Sequence, residues 1–174
     1  MSIREFEGHR PAIAASAFVD DSAVVIGRVS IAEDASIWPL TTVRGDIESI
    51  TIGRRTNIQD GSVLHVTHDS EFAPGGNALI IGDEVTVGHK VILHACTIGN
   101  RCLVGMGSTV LDGAVLEDNV MLGANSLVSP GKVLEGGYLW LGSPARKVRP
   151  LSEKDFAWLS YSAQHYVDLK NRHR

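Results

Sequence analysis

Residues 98–134 read I-G-N-R-C-L-V-G-M-G-S-T-V-L-D-G-A-V-L-E-D-N-V-M-L-G-A-N-S-L-V-S-P-G-K-V-L, with an aliphatic side chain at every sixth position. Those positions are Ile98, Val104, Val110, Leu116, Leu122, Val128 and Leu134. A period of six fits neither the 3.6 residues of a helical turn nor the simple alternation of a lone strand. It fits a solenoid in which each hexad is a short strand plus a corner and three hexads close one triangular coil. The aliphatic residue points into the prism and stacks on its equivalents above and below. The small residue that often follows, as at Gly99, Gly105 and Gly123, lets the backbone turn the corner.

Read back towards the N-terminus, the same count starts at Ile13 and runs through Val19, Val25, Ile31, Ile37 and Val43. A three-residue insertion in R-G-D-I-E-S-I delays it to Ile52, Ile58 and Leu64. After the loop Val66–Leu79 it resumes at Ile81, Val87 and Leu93, then loses one residue before Ile98. Gly136-Gly137 breaks the repeat at the far end. Ser152 then opens a helix, with Asp155 three residues on in the manner of a capping box. Phe156, Leu159, Ala163 and Tyr166 form one apolar stripe of that helix, and Tyr161 falls off it. The expected organisation is a leader over 1–12, a mainly β solenoid over 13–136, a connector over 137–151 and an α-helix over 152–170. The helix lies along the prism or against a neighbouring subunit.

The 174 residues, 44% of them hydrophobic, suit one well-buried domain. A net charge of -4 gives no basic excess for nucleic acid. Arg146, Lys147 and Arg149 read as a solvated connector. The N-terminal stretch lacks the apolar core of a signal peptide, and no apolar run approaches the roughly 18 residues of a membrane span, so a cytoplasmic protein is expected. Cys96 and Cys102 lie one unit apart, on different faces, which predicts two buried free thiols.

The interruptions frame three histidines, His65, His89 and His94. With Val43 on face A, Ile52 falls on face B, Ile58 on face C and Leu64 on A again. If the long loop expands one corner only, Ile81, Val87 and Leu93 fall on B, C and A. Arg44, His65 and His94 then follow the face-A aliphatic residue in three successive coils. Coils stack at a strand spacing of about 4.8 Å. The imidazoles of His65 and His94 can therefore lean onto one ion at zinc–nitrogen distances near about 2.1 Å. His89 follows Gly88 on face C, so the prism separates it from the other two within one chain. A second copy must bring its own face C to this face A, a head-to-tail contact that a three-fold ring closes. Three neutral histidines with an open fourth position suit a catalytic zinc, and imidazole also suits iron or cobalt. The plainer alternative is three ordinary corner residues, but independent placement would rarely put two, here His65 and His94, at one hexad position on adjacent coils.

The set R-G-D at 44–46, N-I-Q-D-G at 57–61, V-L-H at 63–65, V-G-H at 87–89 and L-H at 93–94 resembles the γ-class carbonic anhydrases, closest to their short bacterial branch. The resemblance covers nearly the whole chain. It implies a left-handed parallel β-helix, although the general preference for right-handed crossovers would predict the opposite hand. It implies a homotrimer in which His65 and His94 of one subunit and His89 of the next hold the metal, whose hydroxide turns carbon dioxide into bicarbonate. It also implies that Arg44 pairs with Asp46 and Asp60 at the interface, holding subunits in register or positioning bicarbonate. Gln59 then hydrogen-bonds the metal-bound water, and Tyr161 reaches the site to meet bicarbonate.

One departure stands out. Long members carry a glutamate after the R-G-D aspartate and a proton-shuttling glutamate in an acidic loop. Here Ile47 fills the first position, and Asp69 and Glu71 are what the loop offers, with His68 as another shuttle candidate. Hydration without a proton route is expected to be slow. Other readings are hydrolysis of an acyl-coenzyme A thioester, acyl transfer (G-S-P-A-R-K at 142–147 resembles the exit motif of hexapeptide acyltransferases), and metal binding without turnover.

Overall fold

The computed structural model describes residues 2–173, and the hexads build the expected left-handed parallel β-helix with one C-terminal helix. Face A stacks the first halves of Val24–Ile31 and Thr42–Ile52 with Val63–His65, Ile92–His94, Thr109–Val110 and Leu127–Val128, all parallel. Face B carries Ala12–Ile13, the second halves of the two long strands, Leu79–Ile81, Thr97–Ile98, Val115–Leu116 and Val133–Leu134. Face C runs from Phe18–Val19 through Ser36–Ile37, Asn57–Ile58, Thr86–Val87, Leu103–Val104 and Met121–Leu122 to Tyr138–Leu141.

The register is the one the spacing predicts. Val43 stands beside Leu64 and Leu64 beside Leu93 on face A, Ile52 beside Ile81 on B, and Ile58 beside Val87 on C. These side chains form a continuous buried column, with Leu64, Leu93, Val110 and Leu116 all at 0% exposure. Corners fold through single residues in the left-handed region, among them Lys90 and Ala95, each directly after a candidate histidine. Gly88 is there for a different reason: a Cβ on it would stand 2.8 Å from the backbone nitrogen of Met106 in the next coil. Only glycine lets the coils close up beside His89.

Both ends differ in detail from the sequence boundaries. The first rung is laid before residue 13, because Ser2–Arg4 already pairs with Val24–Ile26. The connector is itself a hairpin, Tyr138–Leu141 folding back antiparallel on Arg146–Pro150. That last strand is exposed along its whole length and rich in cations, which blunts an otherwise free sheet edge.

The helix spans Glu153–His173. Its box is in place, with the Ser152 backbone N–H donating to Asp155 at 2.8 Å and the Asp155 N–H donating to Ser152 Oγ at 3.3 Å. Of the two placements the sequence allows, the structure shows the helix on its own prism, against Ser36–Ile37 and Thr86–Val87 of face C. Leu159, Ser162, Ala163 and Lys170 are buried beneath it, and Tyr166 meets Trp38 edge-on with ring centres 5.5 Å apart. Phe156 does not join the buried stripe; it stays 42% exposed in the first turn, which Arg149 and Ser152 hold through Asp155 instead. Cys96 and Cys102 are free and buried, and burial pushes both thiols up to about 12.

Candidate metal centre

His65 ends the strand Val63–His65 and His94 ends Ile92–His94, so parallel pairing places one imidazole directly above the other. His65 Nδ1 faces His94 Nε2 at 3.2 Å. The remaining nitrogen of each ring meets a carboxylate: His65 Nε2 with Asp46 at 3.1 Å, and His94 Nδ1 with Asp112 at 2.7 Å. His89 repeats the arrangement on face C, its Nδ1 2.9 Å from Asp60.

A neutral imidazole has one ring proton. With that proton directed at the carboxylate, each histidine is left with a bare lone pair on its other nitrogen. For His65 and His94 the two lone pairs then confront each other at 3.2 Å, an arrangement that calls for a cation between them. Two nitrogens each about 2.1 Å from a tetrahedral zinc stand about 3.4 Å apart, close to the observed separation. Carboxylates behind ligating histidines are the usual device for fixing tautomer and ring orientation. The donor set therefore fits a transition metal. Among the described residues, however, no three such side chains converge within a single chain. His65 and His94 are two candidate ligands, and the third candidate, His89, lies on another face.

The local electrostatics disfavour a charge on His65. Burial lowers the pKa of His65, and the charges of Arg44 and His94 add to that, together outweighing the upward pull of Asp46. Burial alone would raise Asp46, but hydrogen bonds from Arg44 and His65 bring it below the usual carboxylate range. Asp112 is likewise lowered, because hydrogen bonds from Thr67 and His94 outweigh its burial.

The remaining expected site residues are divided between the two faces. Arg44 pairs with Asp46 at 2.7 Å on the His65 side. Asp60 lies with His89 instead, so one chain does not bring Arg44 and Asp60 together. Gln59 is buried at 5% exposure, donates to Asn57 at 3.0 Å, and lines an apolar cavity of about 390 Å³ with His89, Trp158 and Tyr166. Tyr161 is 58% exposed between the rings of Trp158 and His165, and lines an open cavity with Arg149, Asp155 and Trp158. His68 and Glu71 line a cavity of about 570 Å³ under the long loop, and Asp112 forms part of its wall.

Asp112 is the site residue that motif reading passes over. It had a signal. Two places past the face-A aliphatic residue, successive coils carry Gly27, Gly45, Val66, Ala95, Asp112 and Pro130, so Asp112 is the lone carboxylate of that column.

Fold and site together define a hexapeptide-repeat protein with two carboxylate-backed histidines stacked on one face and a third on another. Comparison with known proteins narrows this. The family described as bacterial transferase hexapeptide (six repeats) matches residues 95–130. The chain is 57% identical over 171 residues to protein YrdA of Escherichia coli, covering 98% of this chain and 93% of that one. It is 44% identical to a carbonic anhydrase of Geobacillus kaustophilus, over 95% of this chain and 87% of that protein. It is 41% identical to mitochondrial gamma carbonic anhydrase 1 of Arabidopsis thaliana, over 94% of this chain and 59% of that protein. Among solved structures, a hexapeptide transferase family protein from Anaplasma phagocytophilum superposes with a TM-score of 0.90 at 40% identity, over 99% and 98% of the two chains. The chain belongs to the γ-class carbonic anhydrase-like family of hexapeptide-repeat proteins.

Proposed function

We propose that this protein is a metal-dependent carbonic anhydrase whose sites form where face A of one copy meets face C of the next in a homotrimer. The observation that carries the reading is the pair of facing nitrogens on His65 and His94, each ring backed by a carboxylate. His89 of the next copy, backed by its own Asp60, is the third ligand. Zinc held by these residues, with iron or cobalt as alternatives, would supply the Lewis acidity that makes a hydroxide nucleophile available to carbon dioxide near neutral pH.

The chain's own residues do the rest. Asp46 and Asp60 hold the rings of His65 and His89 in place. Arg44, fixed by Asp46 and partly exposed, faces the next copy's Asp60 and offers a guanidinium to bicarbonate. Gln59, on the His89 side, orients the attacking water, and Tyr161 serves bicarbonate from the helix. Ile47 cannot carry a proton out, so hydration is slow. No helix among the described residues is long and apolar enough to cross a membrane, and a cytoplasmic enzyme is part of the proposal.

Stopped-flow hydration of carbon dioxide by zinc- and iron-loaded protein tests the reading. Catalysis above the buffer rate, abolished in His94→Ala, is expected. Absence of bound transition metal from anaerobically purified protein, or no hydration by fully loaded protein, would overturn it. The transferase name of the Anaplasma relative favours acyl transfer as a second reading. Consumption of acyl-coenzyme A only when an acceptor is present would establish transfer, and consumption without acceptor would establish thioester hydrolysis.

A further inference from the structure

The third carboxylate, Asp112, sits one coil beyond His94, and no motif draws attention to it. Its Oδ1 lies 2.7 Å from His94 Nδ1, while Oδ2 accepts a short hydrogen bond from the Thr67 hydroxyl. Thr67 is the second residue of the long loop, and its backbone pairs with Asn77 across the loop's base. One carboxylate thus bridges a histidine and the base of the long loop.

We propose that Asp112 is a positioning residue for the metal centre: it fixes the tautomer of His94 that presents Nε2, and Thr67 holds Asp112 in the rotamer that does so. The inference rests on the metal reading above. Two features argue against a purely structural role. The corner column that contains Asp112 is otherwise glycine or apolar, so the coil stack itself has no need of a charge there. The carboxylate is also only partly buried, at 36% exposure, and could turn to solvent if Thr67 and His94 did not hold it. A freely turning Asp112 would let the His94 ring flip and put the wrong nitrogen towards His65. Because Asp112 also walls the cavity under the loop, displacement of the loop reaches the ligand through a single side chain.

The test is zinc affinity by chelator competition on the full-length protein, together with thermal melting of the metal-free form and the visible spectrum of the cobalt-loaded form. Asp112→Ala should weaken zinc binding about 10- to 100-fold, the usual cost of removing such a partner. It should alter the cobalt spectrum while leaving the metal-free melting temperature near wild type. Asp112→Asn, whose amide oxygen still accepts from Nδ1, should recover part of the loss, and Thr67→Val should lose less than Asp112→Ala. Asp118→Ala, a carboxylate elsewhere on the stack, is the control. Zinc affinity of Asp112→Ala within about twofold of wild type, far short of the usual effect, would overturn the inference. So would an equal loss in Asp118→Ala. Wild type that binds no zinc would instead bring down the metal centre itself, and zinc-binding but hydration-inactive wild type would sink only the carbonic anhydrase reading.

Discussion

The upper coils, from Ile98 to Leu134, and the lower coils, from Val43 to Leu93, are made of the same hexad, yet they do different things. In the upper stretch equivalent residues of neighbouring coils stand 18 apart, as Asn100 and Asp118 do, so three uninterrupted hexads make each coil. In the lower stretch His65 and His94 stand 29 apart because the Val66–Leu79 loop is spliced between them, and still they stack. The inward column is equally dry in both: Leu93 and Leu116 are each at 0% exposure. Repetition therefore builds the core throughout, and the interruptions add chemistry without disturbing it. A scaffold whose parallel pairing fixes register can take long insertions at a corner because closing a longer loop costs little extra entropy.

That contrast can be broken first at the ligands. His94→Ala should abolish metal binding while circular dichroism and melting stay near wild type, since the side chain stands outside the stacked column. Retained stoichiometric metal would show that the lower coils do not carry the site. A gain comes next. Ile47→Glu, 38% exposed in the three-residue insertion, should raise zinc-loaded hydration by about 10²-fold, the low end of what a placed acid–base group supplies. An unchanged rate would mean that proton transfer is not what limits this protein.

The core comparison is finer. Leu93→Ala and Leu116→Ala should each cost about 2–5 kcal/mol in denaturant unfolding, as buried leucine truncations do. Only Leu93→Ala, next to His94, should also loosen metal binding. Equal effects on metal would mean the two stretches are not energetically separate. Smaller still is an alkaline limb from Cys96, at the junction of the two stretches, and Cys102, in the upper one. Their folded pKa of about 12 lies above the ordinary thiol value of 9.0. The unfolded chain therefore ionises first, and stability present below pH 9 declines as pH rises from there towards 12. A Cys96→Ala/Cys102→Ala variant should show a flatter melting profile over that window. Last, Ser152→Ala should cost about 1 kcal/mol through loss of the helix cap, with metal binding unchanged.

How much of this could be read in advance follows from the same division. A column of aliphatic residues in sixes leaves a chain few ways to bury them, so faces, coils and the neighbouring positions of His65 and His94 were all legible. The separation of His89 was legible too, because Val87 counts onto face C. Less regular parts were not. Phe156 matches the helix stripe in spacing, but capping contacts rather than packing hold the first turn, and a side chain there need not be buried. The rung at Ser2–Arg4 lies ahead of the first counted hexad, and the Arg146–Pro150 strand pairs antiparallel, outside the repeat. Asp112 stands out as the lone carboxylate of its column, but its pairing with His94 depends on which way a single side chain turns, which spacing does not encode.

If a histidine from one copy completes the site of another, chains lacking different ligands must complement each other when mixed. His89→Ala and His94→Ala chains, each alone, should bind no zinc. Unfolded together in equal amounts and refolded, random three-fold rings should recover about one quarter of the wild-type zinc content, because a complete site arises wherever an intact face A meets an intact face C. No recovery from the mixed rings, or full zinc content in the His89→Ala protein by itself, would contradict the account.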